Sequence, residues 1–174
     1  NTFKRWDNYA NVNGFYGYIF FHYWFKNGIV MNKPLDNLTK KNTLNKPWFL
    51  TWVNENWTRR WDGGNKEILL EVNINISSCK NHVKALCKYF NDPNYYKIEG
   101  KPCLGIYRCG EVSNEYITLL NRLVKNEGFK GIFFIKTLNM DWNSDNSINE
   151  NEYWDGEMEY PPNYGGNEPK KNLE

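Results

Sequence analysis

Residues 15–25 read Phe-Tyr-Gly-Tyr-Ile-Phe-Phe-His-Tyr-Trp-Phe, an apolar run with almost no polar interruption. A half-solvated strand alternates apolar and polar side chains. A run without that alternation predicts a strand covered on both faces, the kind found in parallel sheets. Similar runs follow at 47–53, 102–108 and 131–138, and 154–160 is the last strand candidate.

Helical patterns lie between these runs. Cys79, Val83, Leu86, Cys87 and Phe90 are spaced i, i+4, i+7, i+8, i+11 and make one apolar helix face. Ser77 or Ser78 is the expected cap, and Asp92-Pro93 the stop. Ser113 opens a second helix through about Glu127, with Ile117, Leu120 and Val124 on one face and Gly128 closing it. Pro34, Leu35 and Leu38 fall in a polar connection, the patch Ile68-Leu69-Leu70 is of uncertain type, and 139–152 reads as a polar loop. Helices between buried strands predict an α/β fold, either a barrel or a doubly wound sheet. No Gly-x-Gly-x-x-Gly follows the first strand and no P-loop occurs, so a nucleotide-binding sheet would lack its phosphate cradle. Five strands are too few to close an eight-stranded barrel, so a barrel here is a partial one.

Composition narrows the function classes. Net charge is +2 with acids and bases interleaved, which gives no electrostatic footprint for nucleic acid. No apolar stretch approaches the roughly 20 residues of a membrane span, and no signal peptide is read. Cys79, Cys87, Cys103 and Cys109 show no CxxC spacing and only His22 and His82 could join them, so no metal site and no cofactor is expected. The four thiols are expected to be reduced, in a cytoplasmic protein. Sequons at Asn37, Asn56 and Asn75 are ascribed to chance in an Asn-rich chain.

The chemistry is concentrated where the second run ends. After Pro47-Trp48-Phe49-Leu50-Thr51-Trp52-Val53, polarity switches abruptly into Asn54-Glu55-Asn56-Trp57-Thr58-Arg59-Arg60-Trp61-Asp62-Gly63. Polar residues at carboxyl ends of strands are how α/β proteins build sites. Indoles stack on sugar faces, carboxylates and amides bind hydroxyls, and arginines grip anionic groups in a bidentate fork. A carbohydrate site is the expectation.

Several segments together resemble the WbsX-type glycosyltransferases, also described as glycoside hydrolase family 99-like domains. The matching pieces are Gly17-Tyr18 through His22-Tyr23-Trp24-Phe25, Pro34-Leu35, the run Trp52–Gly63, Gly100-Lys101-Pro102 to Tyr107-Arg108, and Asp155-Gly156 with Glu159-Tyr160-Pro161-Pro162. The resemblance implies a (β/α)8 TIM-barrel type of domain over residues 1–165, with barrel elements missing on both sides, and a flexible tail over 166–174. It implies action on glycans in polysaccharide or O-antigen assembly, with a carbohydrate substrate and a sugar-nucleotide donor. Asn163 stands where a histidine is common, so that histidine's role does not carry over.

Glycosyl transfer and hydrolysis both call for carboxylates. Glu55 and Glu159 are the catalytic candidates, with Glu157 competing for the second place. Each has a structural alternative: an ion pair with Arg59 or Arg60 for Glu55, and a solvated strand end for Glu159. The substrate-binding candidates are His22, Tyr23, Trp24, Asn54, Trp57, Arg59, Arg60, Trp61, Asp62, Tyr107 and Arg108. Trp57 and Trp61, four apart, are read as sharing a helical face, one of them as core. His22 is placed at a strand end in a polar role, with Tyr23 on the opposite face, and His82 on the surface. Two rivals stand beside the transferase: an endo-acting glycosidase of the α-mannoside type and a non-catalytic glycan-binding domain.

Overall fold

A computed structural model of the protein describes residues 2–41, 44–59, 67–138 and 153–159. The chain runs α1 (Thr2–Val12), β1 (Tyr18–Phe25), β2 (Gly28–Val30), α2 (Lys33–Lys41), β3 (Trp48–Trp52), β4 (Trp57–Thr58) and β5 (Ile68–Leu70). It continues through α3 (Cys79–Phe90), β6 (Lys97–Ile98), β7 (Lys101–Ile106), α4 (Asn114–Asn126), β8 (Phe133–Leu138) and β9 (Gly156–Glu159). The four apolar runs and the last strand candidate are parallel neighbours, β1-β3-β7-β8-β9, with β2 and β6 added as antiparallel hairpin partners.

Strand order therefore follows chain order without reversal. The result is a mixed α/β fold with a mostly parallel central sheet, compatible with a partial α/β barrel. Register explains the hydrophobicity of one face, while on the other face Ile19 and Phe21 of β1 stay exposed, against the expectation of cover on both. Phe20, Leu50, Leu104 and Phe134 lie side by side across four strands, and the residues two away on each strand repeat the layer. α1 reaches this face through Phe3 on Phe20, α3 through Tyr89 on Trp48, and α4 through Tyr116 on Trp52. One hydrophobic cluster results, with Trp48, Leu50, Trp52, Leu104 and Ile106 fully enclosed.

Two close approaches fix the strands. Glu99 and Gly100 both take positive φ, 53° and 80°, in the two-residue turn that folds β6 back on β7. In β7, a Cβ on Gly105 would stand 2.5 Å from Thr51 Oγ1 of β3, so these strands meet only because position 105 is glycine.

Several local readings are corrected. The connection bearing Pro34 is a helix, α2, with Pro34 in its first turn, where the missing N–H costs nothing. Leu35 and Leu38 face the core. The uncertain patch at 68–70 is β5, paired with β4. Trp57 is thus in a strand, so helical spacing does not pair it with Trp61, which lies outside the described residues. Ser78 holds the cap position of α3 as expected, but its hydroxyl bonds Asn73 Oδ1 rather than the helix. The side-chain cap falls to Asn75, whose Oδ1 accepts from Ser77 N at 3.0 Å at the start of the 3-10 turn Ile76–Ser78 that leads into α3. Ser113 caps α4 as expected, its hydroxyl accepting from Tyr116 N.

Candidate functional site at the carboxyl ends of the strands

β3 ends at Trp52 and β7 at Ile106, and the two strand-end loops are then tied by a side chain. Asn54 is fully buried, and its amide imitates one more rung of the ladder. Its Oδ1 accepts from Arg108 N at 2.8 Å and its Nδ2 donates to Arg108 O at 2.7 Å. With its backbone pinned, Arg108 lays its guanidinium against two carboxylates. Nε and Nη2 both donate to Glu55 Oε2, at 2.8 and 2.6 Å, and Nη1 donates to Glu111 Oε1 at 2.9 Å. Burial opposes the charge on Arg108, but the two carboxylates outweigh it and raise its pKa. Both partners of the central pair keep a quarter or so of their side chains in solvent, 21% for Arg108 and 28% for Glu55. Glu55 Oε1 takes no bond among the described residues, so one oxygen is held and one is free for a substrate hydroxyl.

Two residues past Glu55, Trp57 joins an aromatic cluster. Tyr23 and Phe25 project on one face of β1, their rings parallel at 6.5 Å, and Trp57 sets its edge against both at 5.1 and 5.2 Å. Tyr23 and Trp57 are half-buried, which leaves ring surface accessible. Asn56 steadies the β4–β5 hairpin, its Oδ1 accepting from Val72 N at 2.8 Å. Arg59 is exposed and meets Glu67 at 3.8 Å, a loose surface pair. Tyr107 is half-buried at the end of β7, and its N–H continues the ladder to Trp52 O.

His22 and Trp24 face the other way, as the alternation with Tyr23 requires. His22 is fully buried rather than a polar residue at the site, and His82, read as a surface histidine, is fully buried too. α3 is covered by the sheet, by α4 through Tyr116, and by α2 through the Asp36–Tyr89 bond, so its buried arc is wider than a one-sided helix would have. The two Nε2 atoms lie 3.0 Å apart, so one ring donates and the other accepts. His82 Nδ1 meets the Tyr116 hydroxyl at 2.9 Å. Trp24 stacks flat on His82 at 4.9 Å and Trp52 meets it edge-on at 4.6 Å. Burial lowers the His22 pKa to about 3 and lowers that of His82 well below the ordinary value. The pair is neutral, dry and structural in setting.

Glu159 closes β9, exposed, at the edge of the described sheet, with β7 and β8 between it and β3. Its neighbour Glu157 pairs with Lys136 at 3.8 Å. Arg60, Trp61 and Asp62 lie outside the described residues, as do Tyr160, Pro161, Pro162 and Asn163. No group of three or more His, Cys, Asp or Glu side chains suited to a metal occurs among the described residues. No helix among them is long and apolar enough to cross a membrane. All four cysteines are free and buried, their thiols pushed up to about 11 chiefly by burial.

A family model described as Glycosyltransferase WbsX matches residues 1–173. The chain belongs to this family. Two similar proteins, both described as uncharacterized protein WxcX, come from Xanthomonas campestris pv. campestris strains B100 and ATCC 33913. Each is 26% identical over 99 residues, which is 57% of this chain and 14% of the relative's own length. No solved structure matches. The family's description is that of a glycosyltransferase.

Two residues of these clusters, Glu111 and His82, were not among the site candidates, and each had a signal in the sequence. Glu111, the second acid on Arg108, stood three residues downstream and was a visible partner. His82 was visible too: with Cys79, Val83 and Leu86 it completes an i, i+3, i+4, i+7 pattern on the apolar face.

Proposed function

We propose that this domain is part of a (β/α)8 barrel that transfers a glycosyl unit from a sugar nucleotide to a polysaccharide acceptor. Glu55 is the base and Arg108 its orienter. The observation that carries this is the Arg108 fork on Glu55 at the ends of two adjacent parallel strands, with one carboxylate oxygen left free. In the step, an acceptor hydroxyl forms a bond to the anomeric carbon while the bond from that carbon to the donor phosphate breaks. The hydroxyl proton passes to Glu55 Oε1, and the diphosphate leaves with the bonding electron pair. Tyr23 and Trp57 supply apolar ring surface against the sugar. Arg59, only loosely paired, and Arg60 beside it in the chain suit the diphosphate.

The leaving group favours transfer over hydrolysis. Glycoside hydrolysis uses two carboxylates flanking the scissile bond, whereas here Glu55 alone is held by the Arg108 fork and Glu159 is exposed at the end of β9. A diphosphate leaving group needs no protonation by a second acid, so a single base at Glu55 suffices, and this reading leaves Glu159 outside proton transfer.

The test is nucleotide release from a panel of nucleotide sugars, with and without an oligosaccharide acceptor. Acceptor-dependent release that falls by about 10²–10⁴-fold in Glu55→Gln supports the assignment. Equal release in that variant removes Glu55 from the reaction. Free reducing ends appearing from a glycan, with no release of nucleotide, would favour the glycosidase instead.

A further inference from the structure

Away from the strand-end site, a cavity opens where β7 and β8 begin. Its volume is about 390 Å³, the size of a small sugar pocket, and its lining combines cations with an apolar floor. Phe134 and Ile132 form the floor, Tyr153 a wall, and Lys101, Arg122 and Lys125 the rim. Asp155 is the one acid among the lining residues, and its charge is already engaged. Its Oδ2 accepts from Phe134 N at 2.9 Å, and its Oδ1 meets Lys101 Nζ at 3.5 Å. Arg122 and Lys125, one turn apart on α4, pair with no acid among the described residues. Lys125 is exposed and passes close to Gly131. Asn121 is fixed, its Oδ1 accepting from Ile132 N at 2.9 Å, which leaves its amide N–H groups to donate.

We infer that this cavity is a second carbohydrate site, selective for a sugar that bears a carboxylate or a phosphate. The charge of such a sugar falls to Arg122 and Lys125, its hydroxyls to Asn121 and Thr118, and its apolar face to Tyr153. The choice of a sugar, rather than another anion, rests on the glycan-active reading above. The anion preference rests on the cavity itself. Because the rim is exposed, the attraction is screened by salt.

The experiment is titration of the full chain with glucose 1-phosphate, glucuronate and glucose, followed by amide NMR shifts. Shifts clustered at Lys101 and along Asn121–Lys125 with either anion, and none with glucose, support the site. A response to only one anion supports it too and names the charged group. Arg122→Glu with Lys125→Glu should weaken binding by at least about tenfold, and added salt should weaken it in the wild type. Arg122→Gln serves where the double variant does not fold. Glucose binding as well as the anions, or undiminished binding in the charge variants, overturns the proposal. Glu55→Gln should bind these sugars normally, so failure of the transfer reaction and failure of this site are read separately.

Discussion

Two polar clusters grow from the same pair of strands and have opposite characters. His22 on β1 lies in register with Trp52 on β3, and Glu55 follows only three residues later. Behind the sheet, His22, His82 and Tyr116 form a sealed chain of neutral hydrogen bonds. At the strand ends, Glu55, Arg108 and Glu111 form a charged group that still touches water. An uncompensated charge in the first place would cost several kcal/mol, whereas in the second it is partly hydrated and paired. The neutral cluster therefore holds layers together, and the charged one is the cluster proposed for chemistry.

Exchanging the damage between the clusters is the sharpest way to break this contrast. Glu55→Gln should lower turnover by about 10²–10⁴-fold, the equivalent of about 3–5 kcal/mol of transition-state stabilisation. Its urea midpoint should move little, since the pair is partly solvated. His82→Ala should do the reverse. It removes a ring packed against His22, Trp24 and Trp52 and strands the His22 and Tyr116 polar groups. A loss of about 3 kcal/mol in unfolding free energy is expected, with near-normal turnover per folded molecule at low temperature. If His82→Ala abolished turnover without lowering stability, the division between the clusters would fail.

The parallel strands were legible because Phe15–Phe25 and Trp48–Val53 are apolar at nearly every position, although the expected cover on both faces fails in the first half of β1, where Ile19 and Phe21 stay 47% and 40% exposed. The boundary between site and scaffold was not legible. His22, Tyr23 and Trp24 are consecutive and all polar-tipped or aromatic, and the pleat separated Tyr23 correctly from its neighbours. Which face would be dry depended on α3 arriving with His82, a contact 60 residues away in the chain. Asn54 was read as a sugar ligand for the same reason. Its amide is instead consumed by the Arg108 backbone, a pairing that appears only once β7 lies beside β3. α2 was missed because Pro34 looks like a breaker, although at a helix start it is tolerated.

Asn54 sharpens the contrast because it belongs to both sides, buried like the histidines yet supporting the charged pair. Asn54→Ala strands a backbone N–H and C=O of Arg108, for an expected loss of about 2 kcal/mol. Unlike the two variants above, it should also lower turnover, because Arg108 loses its fixed origin while Glu55 remains. Asn54→Asp restores the acceptor but sets a carboxylate oxygen against the Arg108 carbonyl, so it should recover neither stability nor turnover. Normal turnover in either variant would mean that the amide does not place Arg108.

The gentlest probe is pH, which acts on one cluster before the other. The folded-state pKa values of His22 and His82 lie below that of an unfolded histidine, near 6.5. Below about pH 6.5 the unfolded chain therefore binds protons that the folded chain does not, and stability declines as pH falls. The slope approaches about 1.4 kcal/mol per pH unit for each histidine, and for His22 it levels off only near pH 3. Cys79, pushed up to about 11, and Tyr116, raised chiefly by burial, stay neutral throughout this window. Ordinary carboxylates titrate near 4, so urea midpoints between about pH 6.5 and 5 isolate the two histidines, the only ones in the chain. His82→Gln should flatten the slope by about half. A wild-type midpoint that stayed level across that interval would mean the histidine pair is hydrated, and the contrast between a dry and a wet cluster would be lost.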